Sequence, residues 1–260
     1  MDHILISLNS ISKYFGKKPI LKNIDLTITK ESTIALLGHN GSGKSTLIRA
    51  AMGLLGPAGL VNRGEIRYKG QPVLDLDDEA LRMLRGPEMG MIFQNCGSAL
   101  CPIRTIGEQL YETMAEHGVS DRQLVREKAT ALFEKIHLRD TERILNSYPF
   151  ELSGGMNQRV GIVMAMLLEP ELLFADEPTS ALDVTVQAQV VREMMTMREA
   201  FGTGIVVVTH NIGVVSFMAD TVAVMCKGKL VEYGKTREVI DHPQQDYTRQ
   251  LIAAMPRIKR

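Results

Sequence analysis

The chain has 260 residues, 45% hydrophobic and 23% charged, enough for one large or two small domains with a buried core. Thirty Lys and Arg balance thirty Asp and Glu, so charge argues against nucleic acid as the main partner. No stretch supplies the roughly 20 nearly uninterrupted apolar residues of a membrane span; the most apolar one, residues 205–225, is broken by His210, Asn211 and Asp220.

In chain order, the opening MDHILISLNS lacks the basic start and long apolar run of a secretory leader, so a soluble chain is expected. Residues 4–8 and 24–28 alternate apolar and polar, which predicts half-buried strands. Residues 34–37 (IALL) read as a short buried strand ending at Gly38. GHNGSGKST follows at residues 38–46, and a helix is expected from Lys44 through Leu47, Ile48 and Ala51. This strand, loop and helix fit G-x-x-x-x-G-K-[ST], the pattern that cradles phosphates. Gly41 and Gly43 let backbone N–H groups curl around an anion, Lys44 supplies a point charge, and Ser45 offers a hydroxyl to Mg²⁺. A Gly-rich turn before an ordinary helix is the plainer alternative.

Residues 65–68 suggest another strand, and the apolar MGMIF delivers Gln94, whose amide both donates and accepts hydrogen bonds. Ser120 with Gln123 reads as a capping box before a helix with Leu124, Val125, Ala129, Leu132, Phe133 and Ile136 on one face. Residues 94–169 therefore suggest a helical subdomain inserted into an α/β core. Within them, FELSGGMNQRV sets Ser153, Gly154 and Gly155 at the head of an apolar run. A helix starting there presents free N–H groups and a positive dipole end, a place for an anion.

Residues 172–175 read as a buried strand that delivers Asp176 and Glu177 at its carboxyl end, where ligands bind open α/β sheets. Asp176 suits Mg²⁺, and Glu177 suits the polarisation of an attacking water. The plainer reading is a solvated acidic turn before Pro178. Residues 205–208 form another short buried strand, followed by His210, which can hydrogen-bond a γ-phosphate or serve structurally. The tail from Tyr233 is polar with short helical pieces. Cys96, Cys101 and Cys226 are expected as free thiols, and the fifteen methionines as core filling.

GHNGSGKST, Gln94, LSGGM, LLFADE, SALD and His210, in this order, resemble the ATP-binding cassette (ABC) proteins over nearly the whole chain. The resemblance implies an α/β fold: a RecA-like P-loop core, an antiparallel β part and an inserted helical subdomain. The implied division is residues 1–94 and 170–232 as catalytic core, 95–169 as helical subdomain and 233–260 as tail. It implies ATP and Mg²⁺ as ligands. Tyr14 would stack on adenine. Gly38, His39, Asn40, Gly41, Ser42, Gly43, Lys44, Ser45 and Thr46 would hold the phosphates. Ser45, Gln94 and Asp176 would hold the metal, with Glu177, His210 and Gln94 at the reacting phosphate. Leu152, Ser153, Gly154, Gly155 and Met156 look like the signature that closes over a partner's ATP; Met156 replaces the usual glutamine. Asp183 would anchor the loop linking the two sites.

The implied partners are a second ABC ATPase subunit in a head-to-tail dimer, two membrane permeases and an extracytoplasmic solute-binding protein, with no nucleic acid. The implied place is peripheral, at the cytoplasmic face of the cell membrane. SGGM followed by Gln158 and Arg159, with HPQQDYTRQLIAAMP at residues 242–256, resembles the dipeptide, oligopeptide and nickel importer branch. The short tail points to nickel or a metal chelate, with peptide import as the alternative. A soluble non-transport ABC ATPase and a non-hydrolysing regulatory cassette are the readings of another class. The absence of sustained heptads and the presence of Lys44, Asp176, Glu177 and His210 argue against them.

Overall fold

Apolar alternation near the start of the chain becomes two long paired strands. The structure, a computed structural model, describes residues 4–56, 60–180 and 182–254. Residues 1–3 of the opening segment, Ala181 of the 180–183 loop and residues 255–256 of the tail motif lie outside the described residues. The elements are β1 (Ile4–Phe15), β2 (Lys18–Thr29), β3 (Thr33–Leu37), α1 (Lys44–Ala51), β4 (Arg63–Tyr68), β5 (Gln71–Pro72), α2 (Asp78–Leu84), β6 (Met89–Ile92), α3 (Cys96–Ala99), α4 (Ile106–Ala115), α5 (Arg122–Lys135), α6 (Thr141–Asn146), α7 (Gly154–Met166), β7 (Leu172–Asp176), α8 (Val184–Phe201), β8 (Gly204–Val208), α9 (Ile212–Met218), β9 (Thr221–Cys226), β10 (Lys229–Lys235), α10 (Thr236–Asp241) and α11 (Asp246–Ala254). They form two compact units, Met1–Arg82 with Gly204–Arg260, and Met83–Thr203.

In the first unit, β2, β1, β4 and β5 make an antiparallel sheet. Ile24, Leu26 and Ile28 are buried while Asp25 and Thr27 are exposed, the period-two pattern of a sheet with one wet face. A second set of strands centres on β3, which pairs in parallel with β8 and β9. TIALL and GIVVV are buried along their whole length, as expected of strands covered on both faces. β9 pairs antiparallel with β10 through a two-residue turn in which Lys227 (φ 47°) and Gly228 (φ 82°) are both left-handed. β9 and β10 were not expected from the sequence. The strand β10 runs into the tail as far as Lys235, and helices follow only from Thr236.

In the second unit, β6 and β7 pair in parallel and the remaining described elements are helical. The expected Ser120–Gln123 capping box does not form. Asp121 is the N-cap of α5, its carboxylate accepting the N–H groups of Gln123 (2.9 Å) and Leu124 (3.2 Å). The helix starts one residue later than the box requires, and the Gln123 amide turns to Glu127 at 2.8 Å instead. Leu124 is also off the apolar face, at 41% exposure, whereas Val125, Ala129, Leu132, Phe133 and Ile136 are buried on it. A true box stands at α4, between Thr105 and Glu108.

The three cysteines are free. Burial pushes the Cys96 thiol up to about 11, so it is a protonated packing group at neutral pH. Met166, Met194, Met197, Met218 and Met225 are buried in apolar surroundings. Among the described residues no helix is long and apolar enough to cross a membrane.

Candidate functional site

The first unit supplies the loop between β3 and α1. Gly38, Gly41 and Gly43 have φ values of 150°, 78° and 104°, so the loop curls in a way other residues resist. Gly43 is the N-cap of α1 and offers no side-chain cap to the helix start. Lys44 is only 5% exposed. Its ammonium donates to the carbonyl oxygens of Gly38 (2.7 Å) and His39 (3.1 Å) and so lies folded against the loop. A positive charge held against the loop attracts an anion placed there. The Ser42 hydroxyl is buried without a hydrogen-bond partner. A buried orphan hydroxyl at a helix start is a position that a phosphate oxygen satisfies.

His210 leaves the same edge of the strands. Leu36 of β3 is in register with Val208 of β8, and the Thr209 N–H donates to the Leu36 carbonyl at 3.4 Å. His210 follows immediately and is exposed. Tyr14, near the end of β1, exposes 43% of its surface while its N–H donates to Asn62 Oδ1 at 2.7 Å. The residue is thus tied at its backbone and exposed to solvent.

The second unit supplies the carboxylates and the amide. Ile92 of β6 is in register with Ala175 of β7, so Gln94 and Asp176 emerge from one carboxyl edge. Asp176 is 4% exposed. Glu177 takes φ 47°, a left-handed turn that costs a non-glycine residue roughly 1–2 kcal/mol. The turn ends the strand and re-aims the side chain. The structure brings Gln94 and Glu177 together: Gln94 Nε2 donates to Glu177 Oε2 at 3.4 Å, and Ser180 Oγ donates to the Gln94 carbonyl at 3.4 Å. The side-chain oxygens of Ser45, Gln94 and Asp176 are each hard donors of the kind Mg²⁺ takes.

The stretch 152–156 does begin a helix. Ser153 is the N-cap of α7, its hydroxyl oxygen accepting the Met156 N–H at 3.3 Å. Leu152 is buried beneath it, and Gly154 faces open space. Gly155 packs against α8: an added Cβ would sit 2.8 Å from Val186 Cγ1. The Val186 N–H in turn donates to Asp183 Oδ1 at 3.0 Å, so Asp183 caps α8 beside the start of α7.

Two residues taken from the sequence only as branch markers have packing roles. The Gln158 amide bridges the segment around Gln94, donating to the Phe93 carbonyl and accepting the Cys96 N–H, both at 3.4 Å. Arg159 pairs with Glu193 at 2.6 Å and donates to the Ile136 carbonyl at 2.7 Å. Burial raises the Glu193 carboxyl while Arg159 opposes the rise. A glutamine and an arginine one turn into an apolar run are the signal that points to such buried polar partners.

Comparison with known proteins agrees with this geometry. The family described as "ABC transporter" matches residues 21–180. The oligopeptide transport ATP-binding protein OppD of Bacillus subtilis is 38% identical over 251 residues, 96% of this chain and 70% of that protein. The probable D,D-dipeptide transport ATP-binding protein DdpD of Escherichia coli is 41% identical over 249 residues, 95% of this chain and 76% of that protein. The dimeric structure of the ATP-binding cassette MJ0796 bound to ADP and Pi superposes with a TM-score of 0.78 at 28% identity, covering 90% of this chain and 99% of that one. With the P-loop, the acidic strand end and the glycine-led helix in place on matching folds, the chain belongs to the ABC transporter family and is an ABC-type ATPase.

Proposed function

We propose that the chain is the ATP-hydrolysing subunit of an importer of peptides. What carries the hydrolytic part is the placement of Gln94, Asp176 and Glu177 at one strand edge, with Gln94 in reach of Glu177. What supports the cargo is that the relatives above are named for oligopeptide and D,D-dipeptide transport. The nickel expectation rests on tail length alone, so peptide is the favoured reading.

In this reading ATP lies over residues 38–46. The N–H groups of residues 40–46 and Lys44 meet the β- and γ-phosphates, and Tyr14 stacks on the adenine. Ser45, Gln94 and Asp176 would hold Mg²⁺, which neutralises charge on the β- and γ-phosphate oxygens. Glu177 takes a proton from the attacking water as its oxygen bonds to the γ-phosphorus and the bond to ADP breaks. His210 donates a hydrogen bond to the γ-phosphate. Ser153 and the N–H groups at Gly154 and Gly155 contact the ATP of a partner cassette, so each site is complete only in a closed head-to-tail dimer. Loss of the γ-phosphate removes those contacts, and the dimer reopens. Two permeases at the cytoplasmic face of the membrane, fed by a solute-binding protein, receive this motion.

Uptake in cells expressing the whole transporter tests the cargo. With Lys44→Ala in this chain, uptake of a radiolabelled dipeptide is expected to fall more than about tenfold, the loss of a charged contact to phosphate, while nickel uptake stays unchanged. A fall in nickel uptake with dipeptide uptake intact would reverse the assignment.

A further inference from the structure

The tail motif HPQQDYTRQ is the part of the family resemblance that the ATP site leaves without a role, yet the structure brings it to the P-loop. The start of α11 is pinned to β10. Glu232 accepts the N–H groups of Gln244 (2.7 Å) and Gln245 (3.2 Å), the two residues before the helix. Arg249 ties the same turn together, donating to the carbonyls of Pro243 and Gln244, both at 3.0 Å, and to Asp246 at 2.7 Å. Thr248, Leu251 and Ile252 are buried, so the helix face is fixed.

That fixed face carries Tyr247 to His39. The phenol oxygen accepts the His39 backbone N–H at 3.2 Å, and the two rings meet edge to face with centroids 5.8 Å apart. Burial raises the Tyr247 hydroxyl, so it stays a neutral phenol at pH 7. Backbone elsewhere in the same unit also meets the loop. Gly38 lies so close to Met225 that an added Cβ would sit 2.3 Å from its carbonyl oxygen, and the Ser42 carbonyl accepts the Gly228 N–H at 3.0 Å. Tyr247 adds a side-chain hold on the loop, and it comes from the tail.

The His39 N–H and the Gly38 carbonyl belong to one peptide unit, which is planar. Tyr247 holds the N–H end of that unit, and the Lys44 ammonium donates to its carbonyl end at 2.7 Å. A rotation of the plane therefore moves the oxygen on which Lys44 rests. We propose that Tyr247 is a positioning residue of the nucleotide site: by gripping the Gly38–His39 peptide it presets the loop and Lys44 for the phosphates of ATP. This rests on the P-loop reading above. It makes the tail part of the nucleotide site and His39 a residue whose N–H serves the tail and not the phosphate.

The test is equilibrium binding of a fluorescent ATP analogue to the purified chain carrying Tyr247→Phe, Tyr247→Leu or Lys44→Ala, with thermal melting of each. ATP hydrolysis by the intact transporter is measured alongside. Tyr247→Phe keeps the ring and removes the acceptor. It is expected to raise the nucleotide Kd by about threefold to tenfold, the range of one net hydrogen bond. Tyr247→Leu, which loses the ring as well, raises it further. The KM of the transporter follows, while its kcat at saturating ATP and the melting temperature stay within experimental error of wild type. If the Tyr247 variants bind as wild type while Lys44→Ala abolishes binding, the positioning role is overturned and the P-loop reading stands. If Kd, kcat and melting temperature all worsen together, Tyr247 merely supports the fold and the proposal is wrong. If Lys44→Ala binds normally, the P-loop reading fails and takes the proposal with it.

Discussion

Replacing Glu177 with glutamine is expected to slow ATP hydrolysis by at least about a hundredfold, the lower range for loss of a general base, and to leave ATP binding intact. The amide is the same size as the carboxylate and can still accept from Gln94 Nε2, which lies 3.4 Å from Glu177 Oε2. The left-handed backbone at φ 47° is unchanged, so its cost is the same in both proteins. What the variant loses is a group able to take a proton from water. It also removes one negative charge next to the buried Asp176, which eases the approach of a polyanion. Phosphate release in a single turnover, set beside nucleotide binding, reads both effects. Hydrolysis within twofold of wild type would move the base to another residue.

The Ser153→Arg variant acts on the other chain's nucleotide. Ser153 is exposed and caps α7 through the Met156 N–H, so arginine removes a cap worth about 1 kcal/mol. That cost weakens the start of one helix without unfolding the unit. The larger effect is a bulky cation where a phosphate is expected to meet the helix N-terminus. The P-loop of the same chain belongs to the first unit and Ser153 to the second, so the chain's own ATP binding is expected to persist. Placing Lys44→Ala in the same chain leaves one productive site, built from the partner's P-loop and this chain's signature. Hydrolysis at that site should then fall more than tenfold, as expected when preorganised donors to the γ-phosphate are lost. Undiminished hydrolysis would show that residues 152–156 do not complete a partner's site.

Much of this local geometry was legible because it depends only on near neighbours in sequence. The turn at residues 38–46 needs only a buried strand before it and a helix after it, and both stand as read, with α1 starting at Lys44. The same holds for the helix at Gly154 and for Asp176 at the end of an apolar strand. What failed turned on one residue or on distant packing. Asp121 outcompeted Ser120 as cap because a carboxylate one position later reached two N–H groups. β9 was hidden inside the apolar stretch 205–225, which carries no period to separate strand from helix. Gly155 looked like a residue chosen for phosphate access, and it also makes room for Val186. Tyr247 meets His39 across 208 residues of sequence, and no local pattern announces that contact.

Completion of this chain's ATP site by a second chain is read most directly from the mass of the Glu177→Gln protein. Sedimentation velocity would be run on the variant, alone and mixed with the other cassette of its transporter, with Mg²⁺ and ATP, with Mg²⁺ and ADP, and without nucleotide. A two-chain species is expected with ATP only. A single-chain mass in every mixture, with ATP demonstrably bound, would contradict it.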